Sequence, residues 1–378
     1  MKRAQLLNAL KKLVSQPTAP QAEGAVRDAL HGLLKEHAVP FSTDGFGNTI
    51  ARVRQGMPRR KIALLTHLDQ PALRVVRANG QTLTCAPAGP FVGRHLKGAE
   101  VSFSVVDGAE LKGTVTTTKL VAKDPHGLLE QASVRLADSP PSDPTGAFGS
   151  VDLPTFTRSG QRVGVRSGGG LVGAAAAVAA LADLASSSEP MEAWGIFTRA
   201  QMPGFQGAVA MLLEGKLPRD LYVIDLDTVA TMPGDTLGAG PYIRLASAES
   251  SADPHVAMLL QGAAGQLGSK SSVRKAATFS QSSGMTPFIA FGYCAAGLAL
   301  PVENPRSHGT KGPANETLDV GDLEVAIELL EAAVLRAGAG VDDMDLLRNR
   351  VIRDSEAGRD ALRTPHNRPT GLPGENAL

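Results

Sequence analysis

The stretch IALLTHLD, residues 62–69, is the part of this 378-residue chain that decides its fold. Its first four residues form a continuous apolar run, which is typical of a strand covered on both faces of a sheet. The run ends in polar residues at His67 and Asp69. Because residues i and i+2 of an extended chain share a face, Asp69 is placed to orient the His67 imidazole while the second ring nitrogen binds a metal. A plain strand-end turn without a function gives the same pattern.

Apolar runs and helical periodicity continue along the chain beyond this stretch. Residues 193–198, 221–224 and 288–291 are predicted to form three more strands. Residues 174–184 are predicted to form a helix, and a later helix carries apolar residues at i, i+4, i+7 and i+11 within 323–334. Strands that alternate with helices in this way indicate an α/β domain.

The pattern changes between residues 73 and 163, where short β-branched segments are separated by Gly, Pro and Asp without helical periodicity. These features predict a small all-β domain inserted into the α/β domain. The predicted organisation is an α/β domain at 1–72 and 164–345 with the inserted β domain at 73–163. A C-terminal helix and a flexible tail are expected at 346–378.

The composition narrows the classes of function. The chain has 38 basic and 37 acidic side chains, so it lacks the strong positive field with which most nucleic-acid-binding proteins find phosphates. The two cysteines, Cys85 and Cys294, are too few for a disulfide framework or a cysteine zinc site. The longest uncharged segment contains prolines and a polar run, which excludes a membrane span. We expect a cytoplasmic protein without nucleic-acid or membrane partners.

Two further polar residues are candidates for a site. Asp225 directly follows the predicted strand 221–224, and ligands of open α/β sheets gather at the carboxyl ends of strands. A turn-capping aspartate explains the same position. His308 lies in a loop rich in Pro and Gly, where a solvated surface histidine is the simpler interpretation.

The glycine run GGGLVG at 168–173 satisfies the GxGxxG pattern and precedes a predicted helix. It would fit an NADP-binding reductase, with Arg199 at the end of the next strand favouring a 2′-phosphate. The alternative is a glycine-rich turn that lets a helix begin against the sheet. We favour this alternative, because a dinucleotide fold normally opens with the motif.

Four short motifs occur in order along the chain: DGFGNTIA at 44–51, HLDQ at 67–70, LGAGP at 237–241 and PRSH at 305–308. They resemble the D-x-x-GN-x-x-A, HxDE, GxGP and P-x-R-Y-x-H-S motifs of the tetrahedral aminopeptidases, the glutamyl/leucyl-type dinuclear zinc peptidases. The resemblance spans roughly residues 1–340. It implies a mixed, mostly parallel sheet flanked by helices, with a small all-β barrel inserted. It also implies a homo-oligomer that assembles through the barrel.

Three positions depart from that family's motifs. The stretch GGLVG at 169–173 stands where the family's DDRxG supplies the aspartate that bridges both zinc ions. Gln201 and Met202 stand where the family has its general-base glutamate and a zinc-ligand glutamate. A neutral amide cannot take a proton from metal-bound water near neutral pH, and a thioether is a poor zinc ligand. The resemblance therefore implies an incomplete metal site with an inactive Gln201.

By the same resemblance, His67 and Asp225 remain as ligands of one metal and His308 as a ligand of the other, with Asp69 orienting His67. A catalytic zinc site usually has three protein ligands and a water, so we expect at most one zinc or similar divalent metal, or none. The first hypothesis is a peptidase-fold protein without the family's peptidase activity, which binds a small peptide or small molecule or acts as a scaffold.

Two alternatives remain open at this point. One is a divergent one-metal aminopeptidase or hydrolase that acts on small peptides or amides, with Glu249, Asp253 or Glu303 as a substitute ligand. The other is the NADP-binding reductase described above.

Overall fold

A computed structural model of the chain describes residues 1–104, 110–268, 272–277 and 283–362. The predicted flexible tail beyond residue 362 lies outside this range. Within the described residues the helices are α1 (Arg3–Val14), α2 (Gly24–Glu36), α3 (Gly169–Ala185), α4 (Gln206–Glu214), α5 (Pro254–Leu267), α6 (Met285–Ala290), α7 (Val320–Gly338) and α8 (Asp343–Leu362). In this part of the chain no helix is both long enough and apolar enough to cross a membrane.

A large mixed sheet forms the centre of the α/β domain. Its spatial order is β1 (Phe41–Thr43), β2 (Thr49–Gln55), β12 (Met191–Thr198), β3 (Lys61–His67), β13 (Leu221–Ala230), β16 (Cys294–Val302), β14 (Tyr242–Ala246) and β15 (Arg274–Ala277). Strands β12, β3, β13 and β16 run parallel to one another, as do β14 and β15. The other neighbouring pairs are antiparallel. This confirms the predicted mixed sheet with a parallel centre.

Strand β3 shows why the sheet is covered on both faces. Ile62 and Leu64 pack into a core with α1, α2, α3, α5 and α7. Ala63 and Leu65, which point the opposite way, pack into a second core with α4 and α6. The continuous apolar run of β3 is therefore the signature of a strand enclosed by two helical layers, as the sequence predicts.

The inserted domain is a closed six-stranded barrel, which confirms the second part of the predicted fold. Its strands close in the order β4 (Ala72–Asn79), β5 (Thr82–Ala88), β8 (Leu129–Leu136), β7 (Glu110–Leu120), β6 (Glu100–Ser104) and β9 (Phe148–Val151). All of its strand pairs are antiparallel. The barrel has its own core, separate from the cores of the large sheet.

A small antiparallel sheet joins the end of the insertion to the α/β domain. It consists of β10 (Phe156–Ser159), β11 (Arg162–Val165) and β17 (Glu316–Asp319), with β11 in the middle. The predicted insertion at 73–163 thus covers nearly all of the barrel together with β10 and part of β11. Helix α8 runs across the predicted boundary at 345/346.

The prediction of a strand at residues 288–291 is wrong, because this segment lies mainly in helix α6. The fourth central strand is β16, which begins after it at Cys294. Met285 and Phe288 of α6 are fully buried against the sheet face that carries Ala63 and Leu65. A short apolar run has no periodicity that separates a buried helical turn from a buried strand, so the packing of α6 decides the outcome.

Candidate functional site

The polar residues at the ends of β3 and β13 lie side by side. The two strands are parallel neighbours in which Asp225 pairs with Leu65, so Asp227 comes level with His67. His67 Nε2 lies 3.9 Å from Asp227 Oδ1. The sequence singled out Asp225, yet the carboxylate that faces the imidazole is Asp227, two residues further along the same strand face.

Asp69 holds His67 through the main chain. His67 Nδ1 lies 2.9 Å from the main-chain carbonyl oxygen of Asp69 and 3.4 Å from the carboxylate oxygen Oδ1 of the same residue. A carbonyl oxygen only accepts, so Nδ1 carries the proton and Nε2 faces Asp227. The Asp69 carboxylate accepts hydrogen bonds from the backbone amides of Gln201 (2.8 Å) and Met202 (3.2 Å). Asp69 thus fixes both the imidazole and the segment that carries the two altered positions.

The charges of this cluster shift the pKa values in opposite directions. Burial opposes the charged form of His67, but hydrogen bonds and charges from Asp227 and Asp69 outweigh it and raise the His67 pKa well above its ordinary value. Burial also opposes ionisation of Asp227, yet His67 and then Arg244 lower the pKa of that carboxyl. The cluster therefore favours an imidazolium paired with a carboxylate.

Asp225 lies deeper in the protein and has different partners. Ser283 donates a hydrogen bond to Asp225 Oδ2. A Cβ added to Gly284 would lie 2.4 Å from Asp225 Oδ1 and 3.2 Å from Gln201 Oε1, so both side chains converge on this glycine. Burial, followed by the charge of Asp227, raises the pKa of Asp225, while Arg244, Ser283 and His67 act against the rise.

Arg244 is a buried cation that the sequence analysis missed. Across the sheet, Asp225 pairs with Gly297, and Gly297 pairs with Arg244. A Cβ added to Gly297 would lie 2.8 Å from the Cβ of Arg244 and 3.2 Å from its Cδ, so the arginine side chain lies over this glycine. Arg244 is 2% exposed, and its Nε and Nη2 have no hydrogen-bond partner among the described residues. Its charge favours the ionised form of both Asp225 and Asp227.

Glu316 is a second buried carboxylate that the sequence analysis did not identify. Thr228 Oγ1 donates to its Oε1 at 2.6 Å, and the backbone amides of Gly168 and Arg306 donate to its Oε2 at 3.0 Å and 3.2 Å. Burial raises the pKa of Glu316, although the hydrogen bonds from Thr228 and Gly168 oppose this. A small cavity of about 30 Å³ is lined by Glu316, His67 and Asp227 together with Met202.

His308 lines another small cavity, of about 20 Å³, together with Arg94. Its ring stacks on that of His95 with 6.4 Å between the ring centroids. Burial, followed by the charges of His95 and Arg94, lowers the pKa of His308. The structure therefore brings His67 and Asp227 together and places His308 among basic neighbours.

These residues do not fit a pair of zinc ions. In the described parts of the chain, no three His, Cys, Asp or Glu side chains lie close enough together to hold a metal ion. Both oxygens of Glu316 accept hydrogen bonds from the protein, and Asp225 accepts one from Ser283. The charge of a buried arginine acts on both aspartates of β13, so the chain itself offsets part of their negative charge.

The glycine run at 168–173 serves close packing. A Cβ added to Gly170 would lie 2.3 Å from the His67 carbonyl oxygen, and one added to Gly173 would lie 2.5 Å from that of Leu226. Strand β11 before the run belongs to the small antiparallel sheet, whereas a dinucleotide site needs a strand of the parallel sheet there. The start of α3 is capped by Glu316, through the Gly168 amide.

The arginine proposed for a 2′-phosphate is engaged elsewhere. Arg199 Nε donates to Glu23 Oε2 at 2.8 Å, and its other nitrogens donate to the carbonyl oxygens of Phe46 (3.0 Å) and Gln21 (3.2 Å). The structural context that a dinucleotide site requires is therefore not present around this glycine run.

No protein-family model and no curated protein matches the sequence. Solved structures do match the fold. An aminopeptidase from the archaeon Desulfurococcus kamchatkensis is 19% identical with a TM-score of 0.76, over 90% of this chain and 96% of that one. The Pyrococcus horikoshii TET1 peptidase is 20% identical with a TM-score of 0.72, over 87% of this chain and 99% of that one. Yeast aminopeptidase 1 is 10% identical with a TM-score of 0.64, over 89% of this chain and 98% of that one. The chain therefore has the fold of the tetrahedral aminopeptidases, which confirms the resemblance carried by its sequence motifs.

Proposed function

We propose that this chain is a peptidase-fold binding protein that does not carry out two-metal hydrolysis. The observation that carries the proposal is the charge balance at the ends of β3 and β13. His67 and the buried Arg244, which belong to the chain itself, both favour the ionised forms of Asp225 and Asp227. Two zinc ions held at a short distance need bridging carboxylates to offset their mutual repulsion, and a buried arginine whose charge acts on the same aspartates adds to that repulsion.

The position of Gln201 supports the same proposal. This residue stands where the resembled family has its general base, and an amide has no basic atom near neutral pH. Gln201 is buried, and its side-chain oxygen shares the space beside Gly284 with a carboxylate oxygen of Asp225. We therefore assign Gln201 a space-filling role in the site, with no proton to move.

A cavity of about 370 Å³ next to Met202 is the proposed binding place for a small peptide or small molecule. Its walls combine apolar side chains with a few polar ones, which is typical of small-ligand pockets. The lining residues include Phe148, Met202, Pro203, Arg74 and Gln206. Met202 also lines the cavity of His67 and Asp227, so a ligand here would lie beside the altered site.

Elemental analysis of the purified protein, combined with a panel of aminoacyl substrates, tests this proposal. We expect less than one zinc per chain and no turnover after addition of zinc, cobalt or manganese. Two tightly bound metal ions with metal-dependent turnover would overturn it.

The one-metal hydrolase remains as a distinct outcome of the same test. His67 Nε2 and the Asp227 carboxylate provide two donor groups that face each other. If one metal ion is bound and turnover is found, the chain is a hydrolase, and the His67→Ala variant tests whether His67 holds its metal. Loss of both metal and turnover in this variant would make His67 a ligand, and unchanged values would rule out the hydrolase built on His67.

We also propose that the chain forms a homo-oligomer. The Pyrococcus horikoshii TET1 peptidase can assemble into a tetrahedron or a large octahedral shell, and yeast aminopeptidase 1 forms a dodecamer. This chain shares their fold, including the barrel that the resembled family uses for assembly. Native mass spectrometry of the full chain is expected to show a multiple of the 39.2 kDa protomer, and a monomer at micromolar concentration would contradict the proposal.

The cytoplasm is the proposed compartment. Cys85 and Cys294 are both free thiols, and cytoplasmic proteins keep their thiols reduced. Fractionation of cells that produce the full chain is the direct test, and recovery of the protein outside the cytoplasm would contradict it.

A further inference from the structure

A second cavity, of about 210 Å³, lies between the outer surface of the barrel and the α/β domain. Strands β6 and β9 form its barrel side. The segment between α1 and α2 and the junction of β11 with α3 form the opposite side. Gln70 and Pro71 line both this cavity and the one that contains His67, so the two are neighbours with different linings.

The barrel side of the cavity presents a group of hydroxyls. In β6, Val101 and Phe103 point into the barrel core, so Ser102 and Ser104 point outward into the cavity. Ser150 of β9 is paired with Ser102 and lines the same cavity. The strand alternation that builds the barrel core therefore also builds this polar wall.

Ser102 distinguishes this wall from an ordinary polar surface. The residue is only 8% exposed, and its hydroxyl has no hydrogen-bond partner among the described residues. Burying a hydroxyl without a partner costs stability, so such groups in folded proteins usually have a partner. The cavity is the space from which a partner for Ser102 can come.

The opposite side of the cavity supplies a positive charge. Arg166 directly follows Val165, whose side chain is in the main core, and it lines the cavity beside Ser167. No described residue forms an ion pair with the Arg166 guanidinium, and Asp152 and Glu110 act on it only through their charges. Burial lowers the pKa of Arg166, which shows that its charge is partly removed from water. A partly desolvated guanidinium opposite a buried serine hydroxyl is a donor set that suits carboxylate and phosphate groups.

We propose that this cavity binds the carboxylate or phosphate group of a small molecule, with Arg166 as its charged partner and Ser102 as a buried donor. Apolar side chains on the α/β side, among them Val14 and Leu171, receive the carbon part of the ligand. Glu110 also lines the cavity and acts on Arg166 through its charge, but it is exposed, so solvent screens its repulsion of a bound anion.

Calorimetric titration of the full chain with inorganic phosphate and, separately, with succinate tests the proposal. At least one of the two anions is expected to bind in the millimolar range. The Arg166→Met variant should bind it about tenfold more weakly or worse, because a hydrogen bond to a charged group is lost. Arg77→Met removes the same charge from an exposed position of the barrel and should bind like the wild type.

The Ser102→Ala variant separates a ligand-binding role from a structural one. It should weaken anion binding severalfold while leaving the melting temperature of the ligand-free protein unchanged or higher, since the hydroxyl has no partner to lose. Binding of phosphate alone would assign the site to phosphate esters, and binding of succinate alone would assign it to carboxylates. The proposal is overturned if neither anion binds, if Arg166→Met binds as tightly as the wild type, or if Ser102→Ala loses stability and keeps its affinity. None of these measurements depends on metal content or peptidase turnover, so they are independent of the proposed function.

Discussion

Arg244 is enclosed within the α/β domain, where a charged side chain is costly unless opposite charges accompany it. Its guanidinium acts on Asp225 and Asp227, while His67 supplies the second positive charge. Arg244→Met keeps a similar volume but removes one of the two cations that act on Asp225 and Asp227. We expect it to lower the free energy of unfolding by about 3 kcal/mol or more at neutral pH, measured by chemical denaturation.

The pH dependence of the Arg244→Met deficit identifies its cause. Without the guanidinium the pKa values of both aspartates rise in the folded state, so acid that protonates them removes the penalty. The deficit should therefore shrink as the pH falls toward the aspartate range. Arg135→Met, which removes an exposed barrel arginine, should stay within about 0.5 kcal/mol of the wild type. A pH-independent deficit in Arg244→Met would mean that lost packing, rather than lost charge, is responsible.

The two cysteines give a separate prediction at the residue scale. Burial raises the pKa of Cys85 to about 12, and burial together with Asp253 raises that of Cys294 to about 11. Since the thiolate is the reactive form, both should react slowly with iodoacetamide in the folded protein near neutral pH and rapidly after unfolding. A Cys294→Ala variant isolates Cys85, and rapid labelling of this folded variant would contradict its burial.

The same pKa shifts predict how the free energy of unfolding changes at alkaline pH. An unfolded thiol ionises near its ordinary value of 9.0, whereas the folded thiols hold their protons to higher pH. Above that value the unfolded chain therefore binds fewer protons than the folded chain. The free energy of unfolding falls as the pH rises from 9.0 toward the pKa values of the folded thiols. Denaturation curves measured across this range should show the fall, and it should be smaller in Cys294→Ala.

At the scale of elements, helix α3 depends on glycines for its approach to the sheet. A Cβ added to Gly173 would lie 2.5 Å from the Leu226 carbonyl oxygen and 2.7 Å from Thr66 Oγ1. Gly173→Ala should therefore destabilise the protein by about 1–3 kcal/mol through overpacking. A Cβ added to Gly32 in helix α2 would have no atom within 4 Å. Gly32→Ala should therefore stabilise the protein by about 0.5–1 kcal/mol. If both variants gain stability in thermal unfolding, α3 does not pack this closely.

The elements that could be predicted from the sequence are those in which burial sets the order of apolar and polar residues. Strand β3 is enclosed on both faces, so its apolar run is continuous and could be recognised directly. The barrel strands follow from their short β-branched segments. The segment 288–291 was predicted incorrectly because a short apolar run contains no period, and only its packing against β16 shows that it belongs to helix α6.

The candidate site was predicted less completely, because its composition depends on strand register. His67, Asp69 and Gln201 were found from local motifs, and the structure places them together. Asp227 could have been found by noting that it shares a strand face with Asp225. Arg244 could not, since its approach to Asp225 depends on the pairing of three strands across Gly297.

At the scale of the whole molecule, the barrel and the α/β domain have separate hydrophobic cores. Phe103 is fully buried in the barrel core, against the backbone of Gly149. Phe197 is fully buried in the main core of the α/β domain. Contacts that stabilise one core therefore do not directly stabilise the other, and the two domains are expected to open as separate cooperative units.

Hydrogen exchange measured by mass spectrometry tests this separation with two matched truncations. Phe103→Ala and Phe197→Ala each remove a fully buried ring, and each should cost its own core about 3–5 kcal/mol. Phe103→Ala should accelerate amide exchange in β4 to β9 while exchange in β3 and β13 stays at the wild-type rate. Phe197→Ala should do the reverse. Faster exchange throughout the described chain in both variants would mean that the barrel and the α/β domain unfold as one unit, with the interface around the Arg166 cavity coupling them.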